Sequence, residues 1–367
     1  MRSQGFLMTW FVSLSFPLLA QWTFQPNTAN QLLQASGTLS IRGYGECIGN
    51  QPFGAQGTWD ARRLVLFTGY KYDANTAVVT EIEVEHATEI YLEQAFVQHR
   101  LHPGVNFRAG LMLIPMGIAN EYHEPTTFHG SERPYLDHVV VPSTWRELGA
   151  GFQGFLPRYT MGYQAYVVNG LRSYDGQNAL FNAENGLRSG RQKGRQTLAA
   201  HPSFTGKLEW AGLKNTIVSA SYFVGQTESP EYNPKASGMD STTVFLQMTS
   251  FDLRWARRRI HFRAQATFAH LGNAEAYRIR TVSTVSTWIG GGYGEASVQL
   301  LPERSSYACW AFSRYSYVQT GAQPVLLWTQ GISFFLHSGV VLKADIQQRR
   351  MPDYVNWTAN AGLGFWF

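Results

Sequence analysis

Residues 354–367 alternate strictly between apolar and polar side chains, which is the period of a β-strand with one apolar face. The apolar set is Val355, Trp357, Ala359, Ala361, Leu363, Phe365 and Phe367, and the polar or small set is Asn356, Thr358, Asn360, Gly362 and Gly364. A strand this long and apolar would cause aggregation if it lay at an open sheet edge. We therefore expect it to pair with the first strand of the chain and to close the sheet into a barrel.

The composition favours a barrel that crosses a membrane with strands. Charged residues make up 15% of the chain, aromatic residues 14%, and 35 of the 367 residues are glycine, yet the mean hydropathy is only -0.21. No internal run of about 18 apolar residues is present that would form a spanning helix. Outward apolar and inward polar residues cancel in such an average when they alternate along a strand. The alternative is a large secreted all-β protein.

Alternation and turn residues predict about sixteen strands in an all-β, antiparallel, up-and-down transmembrane barrel. Their ranges are 37–48, 61–72, 77–86, 89–100, 105–114, 147–156, 159–169, 203–211, 215–225, 242–255, 259–271, 288–300, 305–318, 325–336, 339–349 and 354–367. The phase is ambiguous in the strands that begin at 61, 89 and 242. Every second connection is short, and the others are mostly longer, as in bacterial outer-membrane barrels with both termini in the periplasm.

The N-terminal residues have the pattern of an export signal. Arg2 precedes an apolar run at 6–20, and polar residues follow it. A membrane anchor is disfavoured because the run is short and contains Pro17. The expected organisation is a signal peptide at 1–20, a short periplasmic segment at 21–36 and the barrel at 37–367.

Residues 115–146 interrupt the regular pattern of strands and turns. The segment has no sustained period, but Tyr122, Phe128, Tyr135 and Trp145 give it too much apolar surface for a disordered loop. We expect this third extracellular loop to fold into the lumen and to narrow a pore. The residues expected to form the constriction are Glu121, His123, Glu124, Glu132, Arg133, Trp145 and Arg146.

Strand phase assigns charged residues to the barrel interior, because a charge facing lipid near the midplane would cost about 2–4 kcal/mol. The expected pore-lining residues are Arg42, Glu81, Glu83, Arg108, Arg263, Lys343 and Asp345. The loop at 115–146 is net acidic and the strands at 105–114, 259–271 and 339–349 are basic. We expect a transverse field across the constriction that favours small polar solutes. The alternative is that these charges pair with one another and plug the lumen.

A basic cluster lies in the long connection at 170–202. Its members are Arg188, Arg191, Lys193 and Arg195. One interpretation is an extracellular funnel that concentrates anions, and the other is binding of anionic lipopolysaccharide. Elsewhere, no basic segment interleaves with aromatic residues in the manner of a nucleic-acid groove, so nucleic acid is not an expected partner.

Other candidate sites are weak. His123 and His129 are not at a recognised zinc spacing, so we expect neither a metal nor a cofactor, and we expect these histidines to hydrogen-bond inside the loop. Cys47 and Cys309 are predicted about four strand spacings apart, too far for a disulfide. An enzyme is not expected, since Ser250 and His270 form no recognisable catalytic group and no Gly-x-Ser-x-Gly sequence occurs.

Several segments resemble the bacterial outer-membrane porins, especially the barrels grouped with the phosphate-selective (O and P type) porins. They are FRAGLMLIPMG at 107–117, NEYHEP at 120–125, SERP at 131–134, PSTWRE at 142–147, YVVNG at 166–170, GRQKG at 190–194, LKAD at 342–345 and GLGFWF at 362–367. The resemblance implies a sixteen-stranded barrel with an inward-folded third loop, and it is compatible with a homotrimer. It does not specify the solute, because phosphate-selective members carry lysines in that loop and residues 115–146 contain none.

Together these features predict a porin in the bacterial outer membrane, a passive diffusion channel for small hydrophilic solutes or ions. Its expected partners are membrane lipid, lipopolysaccharide and the solutes themselves. Two alternatives remain open at this point. One is a structural or adhesion barrel without an open pore, and the less favoured one is an outer-membrane hydrolase.

Overall fold

The computed structural model describes residues 27–233, 241–352 and 354–367. The predicted signal peptide at 1–20 lies outside these residues. Sixteen strands form one closed antiparallel barrel in which each strand pairs with its neighbours in sequence and β1 pairs with β16. The prediction of an all-β, sixteen-stranded, closed barrel is therefore confirmed.

The strand bounds follow the predicted order. They are β1 Leu39–Pro52, β2 Thr58–Lys71, β3 Thr76–Glu85, β4 Glu89–His102, β5 Val105–Leu113, β6 Arg146–Leu156, β7 Met161–Asn169, β8 Pro202–Trp210, β9 Thr216–Gln226, β10 Phe245–Arg257, β11 Ile260–Gly272, β12 Trp288–Gln299, β13 Ala308–Gln319, β14 Pro324–His337, β15 Val340–Met351 and β16 Tyr354–Trp366. The boundaries shift by up to four residues from the prediction, because strand ends are set by pairing with neighbours as well as by alternation.

The predicted inward and outward faces are confirmed where the alternation is clean. On β11, Ile260 and Phe268 are exposed on the outer surface while His261 and Thr267 are buried. On β15, Lys343 and Asp345 are buried, and the intervening Ala344 is exposed. Because the side-chain period of a strand is two, a shift by one residue would exchange the two faces completely.

Connections longer than eight residues occur at only one end of the barrel, where short connections are also present. Seven turns of eight residues or fewer lie at the end that also carries both described termini, which we call the turn end. The four longest connections, 114–145, 170–201, 227–244 and 273–287, all lie at the opposite end, which we call the loop end. We refer to residues 114–145 as the inserted loop.

Three short α-helices accompany the barrel in the described part of the chain: α1 Thr28–Gln34, α2 Leu136–Val139 and α3 Ala274–Thr281. Helix α1 packs against the inner faces of β1, β2 and β3 at the turn end. Its Leu32 is buried directly over Gly69, and a Cβ at position 69 would come within 3.0 Å of the Leu32 side chain. No helix among the described residues is long and apolar enough to cross a membrane.

The two cysteines are free, as predicted. Cys47 lies on β1 and Cys309 on β13, and β16, β15 and β14 separate these strands around the barrel. Four strand spacings exceed the reach of a disulfide.

The closing strand pair can be tested with the native Cys47. It pairs directly with Leu363 on β16, and both side chains face outward. A Leu363→Cys variant is expected to form an intrachain disulfide under mild oxidation, because directly paired strand residues have Cα separations compatible with the bond. Non-reducing electrophoresis of the unfolded chain would show a faster-migrating band.

The wild-type chain is the matched control, since Cys47 and Cys309 are too far apart to react. A Leu363→Cys variant that stays uncrosslinked, or that crosslinks only between chains, would contradict the β1–β16 register.

Candidate functional site: the inserted loop and the barrel interior

The two ends of the inserted loop are tied together by Asn120. Its side-chain amide donates to the carbonyl oxygens of Ile114 and Trp145 at 2.7 and 2.9 Å, and its Oδ1 accepts from the Trp145 N–H at 2.8 Å. The backbone N–H of Ile114 also donates to the Trp145 carbonyl. Asn120 is fully buried. These bonds close the neck of the loop, so the residues between them leave the wall as one compact segment.

One side of the inserted loop is bound to the wall formed by β7, β8 and β11. Lys207 on β8 donates to a carboxylate oxygen of Glu121 and to the Gly117 carbonyl, at 2.8 and 2.9 Å. Gln164 on β7 donates to the other Glu121 oxygen at 2.6 Å. On β11, Gln265 accepts from the Ile118 N–H at 2.8 Å.

The other side of the inserted loop is bound to the wall formed by β13, β15, β1 and β2. The Ser131 N–H donates to Asp345 on β15 at 2.7 Å. Glu132 pairs with Arg62 on β2 at 3.2 Å, and Arg314 on β13 donates to the carbonyl oxygens of His129 and Glu132. A segment that contacts strands on opposite sides of a closed barrel lies inside it, so the inserted loop crosses the lumen.

Aromatic contacts reinforce these polar ones. Trp145 is fully buried against Phe223 of β9, with ring centroids 4.7 Å apart. Phe128 lies beneath the ammonium group of Lys343 at 3.7 Å, a cation–π contact. The imidazole of His129 stacks on Phe312 of β13 at 5.5 Å. Apolar surface in the inserted loop is therefore buried against the barrel wall.

The residues predicted to line a pore all face the interior, but most are engaged by neighbours. Arg263 pairs with Glu295 at 2.7 Å, and Arg108 donates to Gln98 and to Asn30 of α1. The others contact as follows: Arg42 lies over the Trp366 ring, Glu81 accepts from Gln94, Glu83 pairs with Arg63, Lys343 lies over Phe128, and Asp345 accepts from Ser131 and Asn360.

The predicted constriction residues of the inserted loop also occupy the interior, whereas Arg146 on β6 pairs with Leu113 on the outward phase of the strands. Glu124 accepts a hydrogen bond from Thr28 of α1, so the inserted loop contacts the helix at the turn end. Arg133 donates to the His123 carbonyl at 3.0 Å. Arg146 begins β6, where its guanidinium donates to the Thr144 carbonyl and lies over the Tyr91 ring at 5.9 Å.

Sequence reasoning missed several interior charges, and bulges explain two of the cases. At the β1–β2 pair, Ala61 and Arg62 together oppose Cys47, so Arg62 and Arg63 both reach interior carboxylates. At the β3–β4 pair, Glu93 is the extra residue between Leu92 and Gln94. A bulge changes the phase of alternation within one strand, which is why these two strands gave ambiguous patterns.

In β10, the third strand with an ambiguous phase, the ambiguity has a different cause. Its inward face carries the apolar Leu246 and Met248 near the loop end and Asp252 and Arg254 near the turn end. Arg254 pairs with Glu209 there. Arg314 on β13, which pairs with Glu295 at 2.7 Å, was also not identified from the sequence.

Cavities remain on both sides of the inserted loop. A cavity of about 290 Å³ lies between the loop and the wall formed by β1, β2 and β14–β16. A second cavity, of about 360 Å³, lies at the turn end beside α1. The charged residues that line the first are Glu46, Arg62, Arg63, Glu132, Arg133, Arg188 and Arg349, and the neutral His138 lies among them. The second is lined by Arg100, Glu121, Lys207 and Glu209 among neutral residues that are mostly polar.

The basic cluster predicted in the connection at 170–201 lies at the loop end, in part packed onto the inserted loop. Arg191 donates to the Ser143 carbonyl at 2.6 Å, and Arg188 lines the cavity described above. Lys193 lies over the Tyr91 ring at 5.0 Å, and Arg195 is exposed. The cluster therefore combines structural contacts with positive charge at the rim.

The two histidines of the inserted loop lie in different surroundings. His123 faces Glu81 and Glu93, whereas His129 faces Ser333 and Phe312. Burial lowers the pKa of His129 well below its usual value. Burial acts in the same direction on His123, but the Glu93 and Glu81 carboxylates outweigh it and raise the pKa of that imidazole to about 9.

The serine and histidine considered as a catalytic pair are not brought together. Ser250 on β10 is buried inside the barrel and shares a hydrogen bond with Thr267 at 2.8 Å. His270 on β11 faces outward with Phe268, and its ring packs on Trp288 at 4.4 Å. The two side chains are on opposite faces of the sheet.

Comparison of the sequence with known proteins finds a distant relative. No family model matches the chain. An uncharacterized protein of Aquifex aeolicus (strain VF5) is 29% identical over 356 residues, which cover 89% of this chain and 79% of that protein.

Three solved structures resemble the fold at low sequence identity. The trimer form of OmpT, an outer membrane protein of Vibrio cholerae, has a TM-score of 0.57 at 10% identity, covering 91% of this chain and 100% of that one. The outer membrane channel DcaP of Acinetobacter baumannii has a TM-score of 0.57 at 11% identity, covering 90% and 97%. An anion-selective porin from Comamonas acidovorans has a TM-score of 0.57 at 9% identity, covering 90% and 99%. The chain therefore has a porin-like barrel fold.

A buried carboxyl group in the inserted loop gives a test of this packing by pH. Asp137 in α2 is fully buried and accepts from Gln265 at 2.8 Å, yet burial raises the pKa of its carboxyl group from 3.8 to about 7. The folded state therefore binds this proton more tightly than the unfolded chain. The stability contributed by Asp137 is complete below pH 3.8 and is lost as the pH rises through 7.

An Asp137→Asn variant removes this titration. Between about pH 4 and pH 8, the wild type is expected to lose up to about 4 kcal/mol of unfolding free energy relative to the variant. Denaturant unfolding of both proteins across this range would measure the difference. Parallel pH profiles for the two proteins would contradict the burial of Asp137 inside the barrel.

Proposed function

We propose that the protein is a passive diffusion channel of the bacterial outer membrane, which passes small hydrophilic solutes or ions around the inserted loop. The observation that carries the proposal is the pair of charged and polar cavities on either side of that loop within a closed barrel. A barrel with a polar interior and an apolar exterior separates a water-filled path from lipid.

The outer surface supports a location in a membrane. Large apolar side chains are exposed around the barrel, including Phe251, Phe268 and Ile332. Monomeric proteins in water rarely expose so many large apolar side chains together. Exposed aromatic residues also lie near both ends, with Trp59 at the loop end and Trp210 at the turn end. Such residues form the interfacial girdles of outer-membrane barrels.

The charges at the loop end favour anions. The cavity there is lined by five arginines and two glutamates, and the basic cluster at 170–201 lies beside its rim. Arginine binds planar oxyanions through two parallel hydrogen bonds. The proposal therefore includes inorganic phosphate among the candidate solutes, on the strength of these arginines alone. Arg195, which is exposed, is the member of the cluster best placed to bind lipopolysaccharide.

The second candidate function is a plugged structural or adhesion barrel, and the paired interior charges favour it. Lys207 with Glu121, and Arg263 and Arg314 with Glu295, neutralise much of the transverse field expected from the sequence. Helix α1 also occupies part of the lumen at the turn end. Liposome swelling separates the two functions. A channel admits small sugars and the liposomes swell, whereas a plugged barrel leaves their volume unchanged.

The proposal also includes assembly as a homotrimer and assigns no catalytic step to the barrel. Trimer assembly is supported by the family resemblance and by the trimeric form of the OmpT structure. Native mass spectrometry of the detergent-solubilised protein would test it. The absence of catalysis is supported by the separation of Ser250 and His270 on opposite faces of the sheet.

The proposed anion preference predicts the effect of reversing one interior charge. Arg349 lines the loop-end cavity and contacts the Tyr135 hydroxyl at 3.3 Å. An Arg349→Glu variant is expected to lower the anion-to-cation permeability ratio by about twofold or more, because the local potential acts directly on permeant ions. The reversal potential of single channels under a salt gradient measures this ratio.

Arg350 provides the matched control, because it is the next residue on the same strand and its side chain is exposed on the outer face. Arg350→Glu is expected to leave the permeability ratio unchanged. Equal shifts in both variants, or no shift in either, would contradict a conduction path past Arg349.

A further inference from the structure

We propose that Glu81, Glu93 and His123 form a buried site for one divalent transition-metal ion, of which Zn²⁺ is the best probe. The site joins three separate segments: Glu81 is on β3, Glu93 is on β4 and His123 is in the inserted loop. A bound ion would fasten the inserted loop to the barrel wall. The inference does not depend on whether the barrel conducts solutes.

The distances suit a shared ion better than direct hydrogen bonds. Nε2 of His123 is 3.7 Å from a carboxylate oxygen of Glu81 and 3.7 Å from one of Glu93, and the three ligand atoms lie within 4.8 Å of one another. Hydrogen bonds between such groups are about 2.7–3.2 Å long. Ligands of a tetrahedral zinc ion, each about 2.0–2.2 Å from the metal, are about 3.3–3.6 Å apart.

The polar atoms that face one another have no hydrogen-bond partner. They are Oε1 of Glu81, both carboxylate oxygens of Glu93 and Nε2 of His123. Glu81 and Glu93 are 0% exposed and His123 is 2% exposed. Buried carboxylates without partners are costly. A divalent cation would balance the charge of the two carboxylates and would give each of these atoms a partner.

The other ring nitrogen of His123 and the other carboxylate oxygen of Glu81 form hydrogen bonds to the protein, as the corresponding atoms of ligands do in known metal sites. The Nδ1 atom of His123 is 3.1 Å from the Asn120 carbonyl, which as a pure acceptor requires the proton on Nδ1 and leaves the Nε2 lone pair directed at the carboxylates. Gln94 donates to Oε2 of Glu81 at 2.6 Å. Second hydrogen bonds of this kind fix the tautomer and orientation of metal ligands. Asn120 is itself anchored at the neck of the inserted loop.

The β4 backbone is shaped to present Glu93. Gln94 opposes Glu81 and Leu92 opposes Ile82, which leaves Glu93 as an unpaired, bulged residue. Glu93 and Gln94 are consequently both buried although they are adjacent in sequence. Without the bulge, only one of two neighbouring side chains could face the interior, and bulges commonly redirect a side chain toward a site.

The donor set selects the class of metal. One imidazole nitrogen and two carboxylate oxygens match zinc and neighbouring first-row metals. Calcium prefers six to eight oxygen ligands, and magnesium keeps an octahedral shell of oxygen and water. The Tyr44 and His123 rings pack edge to face with their centroids 6.1 Å apart, so Tyr44 covers one side of the cluster. The alternative occupant is a proton, which would leave an imidazolium between the carboxylates.

Metal binding by the full-length, untagged protein tests the proposal. After treatment with a chelator and dialysis, the wild type is expected to bind one Zn²⁺ per chain in a titration followed by elemental analysis. Glu93→Gln and His123→Gln are each expected to weaken binding by at least about 100-fold, since each removes a ligand. His129→Gln is the matched control, because it alters another buried histidine of the same loop that faces a different wall.

Each result of these binding measurements either supports or overturns the metal site. Absence of stoichiometric Zn²⁺ binding by the wild type overturns the proposal in favour of the imidazolium, and so does loss of binding in His129→Gln with retention in His123→Gln. Strand content and the gel shift between boiled and unboiled samples show whether the ligand variants fold. If they do not fold, X-ray absorption of the zinc-loaded wild type tests the site instead. One imidazole among oxygen ligands supports the site, and any other number of imidazoles overturns it.

Discussion

The structure depends on one constraint: a charge carried by a strand near the membrane midplane must turn inward, and it must then find a partner in a confined space. The outer surface tolerates charge only at a cost of about 2–4 kcal/mol near the midplane. Inside, Glu295 lies between Arg263 and Arg314 at 2.7 Å from each. Breaking such a buried pair typically costs about 3–5 kcal/mol. The interior charges are therefore stabilising only as a connected set.

The inserted loop supplies many of the missing partners. Arg314 binds two of its carbonyl oxygens, Asp345 accepts one of its N–H groups and Lys207 binds Glu121 and a further carbonyl. The loop can do this because Asn120 closes its neck and directs the whole segment across the lumen. The same contacts that satisfy the wall also divide the interior into separate cavities. Stability and constriction thus have a common physical origin.

The sequence predicts the barrel well because alternation is a local property. Strands such as β11 and β15 carry one residue type on each face, and their phase was correct. The prediction of strand faces fails where a bulge inserts a residue, as at Glu93, because the alternation then changes phase within the strand. The contacts between the inserted loop and the barrel wall could not be predicted from the sequence either. Glu121 and Lys207 are 86 residues apart, and no local pattern relates them.

The central claim is that water and small solutes pass around the inserted loop within a closed barrel. Single-channel recording of the refolded wild-type protein in a planar lipid bilayer tests it most directly. The account predicts discrete conductance steps from protein whose folded barrel is verified by the gel shift on boiling. A verified barrel that inserts into the bilayer and gives no conductance steps would contradict it.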